Sequence, residues 1–93
     1  MEKPYSDIAA RLRVILEAHG ISNAEFARTL GLKPTATNNW LTGASRISID
    51  GALLVRERYG APLDFTYCGG SVDTLPKTIR AAWLSRSRVN HSK

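Results

Sequence analysis

The sequence predicts a compact all-α domain. Three observations carry that expectation: apolar residues recur at three- and four-residue steps, Ser and Pro stand where helices would begin, and Gly stands where they would end. No run alternates polar and apolar residues as a half-buried strand would, and there is no internal repeat or heptad run.

The first helix is expected from Asp7 to His19, with Ile8, Leu12, Ile15 and Leu16 as its apolar face and Gly20 as a left-handed cap. Ser22-Asn23-Ala24-Glu25 fits a capping box, in which the Ser22 hydroxyl accepts from the Glu25 amide and the Glu25 carboxylate accepts from the Ser22 amide. It opens a second helix to about Leu30, with Phe26, Ala27 and Leu30 inward. Gly31 supplies the positive φ for a sharp turn into Leu32. Lys33-Pro34 starts a third helix, because proline suits the first helical position and disfavours helical geometry in the residue before it. That helix ends near Thr42, with Gly43 following. Ser48 caps a fourth, whose apolar face is Ile49, Ala52, Leu53 and Val55, continued by Tyr59 and stopped by Gly60. Pro62 to Tyr67 reads as a short fifth helix and Gly69-Gly70-Ser71 as a flexible exit. A sixth helical segment over 75–85 carries Ile79, Ala82, Trp83 and Leu84, with disorder expected beyond Ser85. The division is thus a domain over 1–70 and a basic tail over 71–93.

The 93 residues carry a formal charge of +5, and its distribution is uneven. Up to Thr74 basic and acidic residues balance; beyond it Lys77, Arg80, Arg86, Arg88 and Lys93 meet no acid. A basic tail attracts polyanions or keeps a chain end soluble, and both readings stand. A second asymmetry is internal: no acid lies between Glu25 and Asp50, while Arg28, Lys33 and Arg46 do.

Several classes are disfavoured. Cys68 is the one cysteine, so there is neither an intrachain disulfide nor a cysteine cluster for zinc; it is read as a small buried or half-buried residue. His19 and His91 lack ligand partners at metal spacing, so no metal and no cofactor is expected. No Ser-His-Asp set, paired carboxylates or phosphate-cradling loop is present, which argues against an enzyme. No stretch approaches the ~18 apolar residues of a membrane span, and a cytoplasmic location is expected. No small-molecule ligand is expected either, since the residues after the fifth helix are too few to enclose a pocket of a few hundred Å3.

Residues 23–42 supply two short helices and a glycine turn, the ingredients of a helix-turn-helix. On a wheel of the third helix, Thr37, Trp40 and Leu41 fall on one side and Thr35, Asn38, Asn39 and Thr42 on the other. The outer face is polar, neutral and free of carboxylates. Asn and Thr are poor helix formers, so their use on an exposed face points to groups needed for contact. Arg13 and Glu17, four residues apart, read as a surface pair.

From Arg11 to Phe65 the chain resembles the lambda repressor/Cro helix-turn-helix family, through "ISNAEFARTLGLKPTATNNWLTG" and "SIDGALLVRERYGAPLDF". The resemblance implies a five-helix DNA-binding domain, usually dimeric, whose third helix enters the major groove of an operator. It implies a phage or bacterial transcriptional regulator. Two positions depart from the family pattern: Leu16 and Leu41 stand where relatives often pair Arg with Glu, and Pro34 stands where relatives often read a base. An apolar pair can replace a buried ion pair without loss of stability. Base reading would shift to Thr35, Asn38 and Asn39, with Lys33 and Pro34 at the edge of the face. Asn23, Thr42 and Arg46 would hold phosphates, helped by the start of the second helix. Asn reads adenine and Thr contacts the thymine methyl, so an A·T-leaning half-site is expected.

The function expected is sequence-specific binding of double-stranded DNA by a homodimer on a palindromic operator, as a repressor or other regulator of transcription. Two alternatives stay open: the DNA-binding antitoxin of a toxin-antitoxin pair, with the tail from Asp73 onward wrapped on the protein partner, and a protein-protein adaptor that keeps the fold.

Overall fold

The computed structural model describes residues 4–91, with side chains as far as Arg86. Helix α1 (Ser6–His19) ends at Gly20, and α2 (Asn23–Leu30) opens with the expected capping box at Ser22 and Glu25. Gly31, at φ 71°, turns the chain so that the Leu32 amide still donates to the Ala27 carbonyl at 2.9 Å. Lys33 is extended, the geometry favoured for a residue before proline, and α3 runs Pro34–Thr42. The Ser48 hydroxyl accepts from the Gly51 amide at 3.0 Å and starts α4 (Ile49–Tyr59). Then follow α5 (Leu63–Cys68), a single 3-10 turn at Val72–Thr74, and α6 (Lys77–His91). No strand occurs among the described residues.

Helix α1 is the centre of the molecule, packing against α3, α5 and α6, while α2 packs on α3 and α4, and α4 on α5. Neighbours on several sides explain why its buried surface is wider than one amphipathic stripe: Ala9 and Val14 are fully buried along with Leu12 and Ile15. Phe26, Ile47, Val55, Phe65 and Ile79 complete the core around it.

The C-terminal segment differs from the tail expected over 71–93. Leu75 and Ile79 are buried in the common core, and the Trp83 ring meets Phe65 edge-on with centroids 5.2 Å apart. The exit is tied down rather than flexible: the Gly70 amide donates to the Asp64 carbonyl at 3.1 Å and the Ser71 hydroxyl to the Asp64 carboxylate at 3.3 Å. Helix α6 continues past Ser85 to His91, where disorder was expected. Burial of Leu75 and Ile79 removes apolar area that a free tail would leave in water, and that gain anchors the helix. The side chains of Arg88, His91 and Lys93 lie outside those described.

Two further expectations are corrected. Ile49 and Leu53, assigned to the inner face of α4, are 60% and 38% exposed. The buried arc of α4 is centred on Gly51, Ala52 and Val55, and at 100° per residue Ile49 and Leu53 fall roughly 100° or more away from its middle. Cys68 is exposed, because it closes α5 beyond the face that buries Phe65 and Thr66. No helix among the described residues is long and apolar enough to cross a membrane.

Candidate nucleic-acid interface

Helix α3 is held from behind so that its outer side is presented at a fixed angle. Thr37, Trp40 and Leu41 are buried, whereas Lys33, Pro34, Thr35, Asn38, Asn39 and Thr42 are exposed. The separation of the two sides follows the wheel drawn from the sequence. Four interactions from other parts of the chain fix the helix. The Thr37 hydroxyl donates to Asn23 Oδ1 at 2.6 Å, and Asn23 Nδ2 donates to the Pro34 carbonyl at 3.3 Å. At the other end, Arg13 Nη1 of α1 donates to the Leu41 carbonyl. The Tyr5 amide donates to the Gly43 carbonyl at 3.2 Å. A guanidinium at the carboxyl end of a helix also meets the negative end of its dipole, a favourable placement.

Gly51 is part of the same scaffold. It lies in the first turn of α4, and a Cβ there would stand 2.6 Å from Trp40 Cη2. Only glycine lets the indole of α3 lie this close to the α4 backbone. Trp40 is thereby a core residue, 8% exposed, and not a stacking platform for bases.

These contacts redistribute the roles expected of individual residues. Asn23, expected on a phosphate, uses both amide atoms to join α2 to α3 and acts on α3 as a positioning residue. The α2 amino terminus is partly occupied: the Ser22 amide donates to Glu25 Oε1 at 3.1 Å and the Glu25 amide to the Ser22 hydroxyl at 3.2 Å. A carboxylate therefore already sits where a phosphate was expected. The Thr42 hydroxyl turns back to the Asn39 carbonyl at 3.3 Å, leaving its lone pairs and methyl outward. Arg13 reaches α3 instead of pairing with Glu17 as the four-residue spacing suggested. His19 Nδ1 lies 2.9 Å from the Ile15 carbonyl and its ring meets Tyr59 edge-on, so it serves the fold.

What remains outward is a short polar surface. The side chains of Thr35, Asn38 and Asn39 make no hydrogen bond among the described residues, and Lys33 and Arg46 make no ion pair there. Arg46 lies in the loop between α3 and α4, close enough to Tyr67 for its charge to act on the phenol. The Tyr67 hydroxyl donates to the Ile47 carbonyl at 2.7 Å, pinning that loop to α5. Burial raises the Tyr67 phenol above its ordinary value, and the Arg46 charge pulls it partly back. Such a face can donate and accept hydrogen bonds in the plane of each amide and offers no carboxylate to repel a polyanion.

Sequence reasoning missed Arg13 and Gly51 as determinants of this surface. Glycine inside a helical pattern is itself a signal of close packing, and Gly51 carried it. Arg13 had no such signal, since its partner Leu41 lies 28 residues away. Comparison with protein-family models, with curated proteins and with solved structures gives no match.

Proposed function

We propose that this protein binds double-stranded DNA sequence-specifically through α3 and regulates transcription, with a lambda repressor/Cro-like arrangement of its first five helices. The observation that carries the reading is the outer face of α3: Thr35, Asn38 and Asn39 are exposed and without intramolecular partners on a helix locked from behind. A site that reads base edges needs its donors and acceptors free and its backbone fixed, since a loosely held helix lowers discrimination. Asn38 and Asn39 are the adenine readers, Thr35 contacts a thymine methyl, and Lys33, Thr42 and Arg46 hold phosphates. Pro34 sets the start of the helix at the edge of the face.

Action as a homodimer on an inverted repeat is part of this proposal. Each well-read base pair contributes ~1–3 kcal/mol of discrimination, while specific over non-specific binding requires ~4–10 kcal/mol. Three reading side chains supply ~3–9 kcal/mol, and two copies on an inverted repeat cover the whole of that range. The antitoxin reading has less behind it, because it calls for a tail that orders on its partner, and residues 75–83 already pack into the core. Selection of duplex DNA from a random pool at near-physiological salt is the test. Enrichment of an A·T-leaning inverted repeat with half-sites about one helical turn apart is expected. Recovery of no consensus would refute DNA reading and favour the adaptor.

A further inference from the structure

A groove of about 590 Å3 opens between the start of α1, the α3–α4 loop and the end of α5. Its walls include Tyr5, Ile8, Ile47, Ile49 and Tyr67, and the one charged side chain among its described lining residues is Arg46. The volume lies within the ~300–1,000 Å3 usual for small-molecule sites, and the composition, apolar walls with a few convergent polar groups, is the usual one as well. The expectation of no ligand pocket considered only residues after the fifth helix; this groove is built from residues before and within it.

We propose that the groove binds a small carboxylate with an apolar body, its anion on the Arg46 guanidinium and its body against Tyr5, Ile8 and Ile49, and that the bound anion withdraws Arg46 from DNA. Charge complementarity selects the anion: a lone guanidinium with no acidic partner among the described residues gains a bidentate ion-pair contact from a carboxylate and only a single, weaker hydrogen bond from a neutral carbonyl head. Ile49 gives a reason for apolar bodies, since this large aliphatic residue lines the groove and is 60% exposed. The link to regulation rests on the reading of Arg46 as a phosphate contact: one guanidinium cannot serve both anions with full geometry. Arg46 also sits three residues beyond Gly43, in the loop that leaves α3, so the two sites share a backbone segment.

The test uses 4-phenylbutyrate and its amide, 4-phenylbutyramide, titrated into the 15N-labelled full chain. The expected result is saturable shifts confined to the amides of Tyr5, Ile8, Arg46 to Ile49, Tyr67 and Cys68, with the acid binding at least tenfold tighter than the amide. Arg46→Gln should bring acid and amide to the same affinity while leaving the rest of the spectrum in place. Equal binding of acid and amide to the wild-type chain, absence of saturable shifts, or the same shifts on raising protein concentration without probe would each overturn the proposal, the last by placing a second copy in the groove. In a second arm, saturating 4-phenylbutyrate should weaken binding of the selected operator to the level of Arg46→Gln and leave that variant unaffected. Acid binding with unchanged operator affinity would overturn the coupling, and failure of the chain to bind any DNA would refute the operator reading while the amide comparison still decides the groove.

Discussion

Replacing Gly51 by alanine should destabilise the protein, although the same change in an ordinary helix would do the reverse. Alanine is favoured over glycine by up to ~1 kcal/mol in a helix interior, and less in the first turn where Gly51 lies. Against this, the new Cβ would stand 2.6 Å from Trp40 Cη2, 3.1 Å from Ile47 Cγ1 and 3.1 Å from Ser48 Oγ. Carbon atoms pack best at ~3.5–4.0 Å, so the indole must move by about 1 Å. Trp40 is buried and belongs to α3, and overpacking of this kind costs ~1–3 kcal/mol. The net loss should be about 1–2 kcal/mol, equivalent to a fall in Tm of ~4–8 °C for each kcal/mol in a domain of this size. Urea and thermal unfolding followed by circular dichroism measure it, and a double-mutant cycle with Trp40→Phe identifies the cause. Phenylalanine lacks the ring that meets residue 51, so Gly51→Ala should cost clearly less in the Trp40→Phe background, where only the two 3.1 Å contacts remain. A stabilised Gly51→Ala variant, or costs that add within ~0.5 kcal/mol, would refute the close-packing argument.

Four other outcomes are expected. Asn39→Ala should cost ~1–3 kcal/mol on the selected operator and nothing on unrelated duplexes, whereas Arg46→Ala should weaken all duplexes alike and reduce the salt slope by about one; titrations against both at several salt concentrations separate them. Thr37→Val should destabilise folding by ~0.5–1.5 kcal/mol, because it removes the hydrogen bond to the half-buried Asn23 Oδ1; unchanged urea unfolding would show that hydrogen bond to be dispensable. Removing residues 87–93 takes away Arg88 and Lys93 but leaves Leu75, Ile79 and Trp83 in place, so the fold should persist while the salt dependence of DNA affinity flattens; an unchanged slope would exclude these cations from phosphate contact. Burial raises the Tyr67 phenol above 10.0, so the native state holds this proton longer than the unfolded chain and stability falls as pH climbs above 10. Tyr67→Phe should make that alkaline loss shallower in urea unfolding between pH 9 and 11.5, and an identical slope would remove Tyr67 as its source.

Where the first four helices begin and end, and which side of α3 faces the core, follow from short-range features of the chain. The Ser22–Glu25 box, Gly31, Lys33-Pro34 and Ser48 act within three or four residues of themselves, so the backbone amides they satisfy are settled locally. The exposed Thr35, Asn38 and Asn39 were legible for the same reason: the helical period alone separates them from Thr37, Trp40 and Leu41. Periodicity does not say how many neighbours a helix has, and that number comes only from the packing of the helices. Val14 is buried because α1 is packed by three other helices, and Ile49 and Leu53 are exposed because nothing among the described residues covers that side of α4. The C-terminal segment became part of the core because Leu75 and Ile79 find apolar surface left open by the earlier helices. Asn23 on Thr37, Arg13 on Leu41 and Gly51 under Trp40 join residues 11 to 28 positions apart, and such pairings exist only once the chain has brought its helices together.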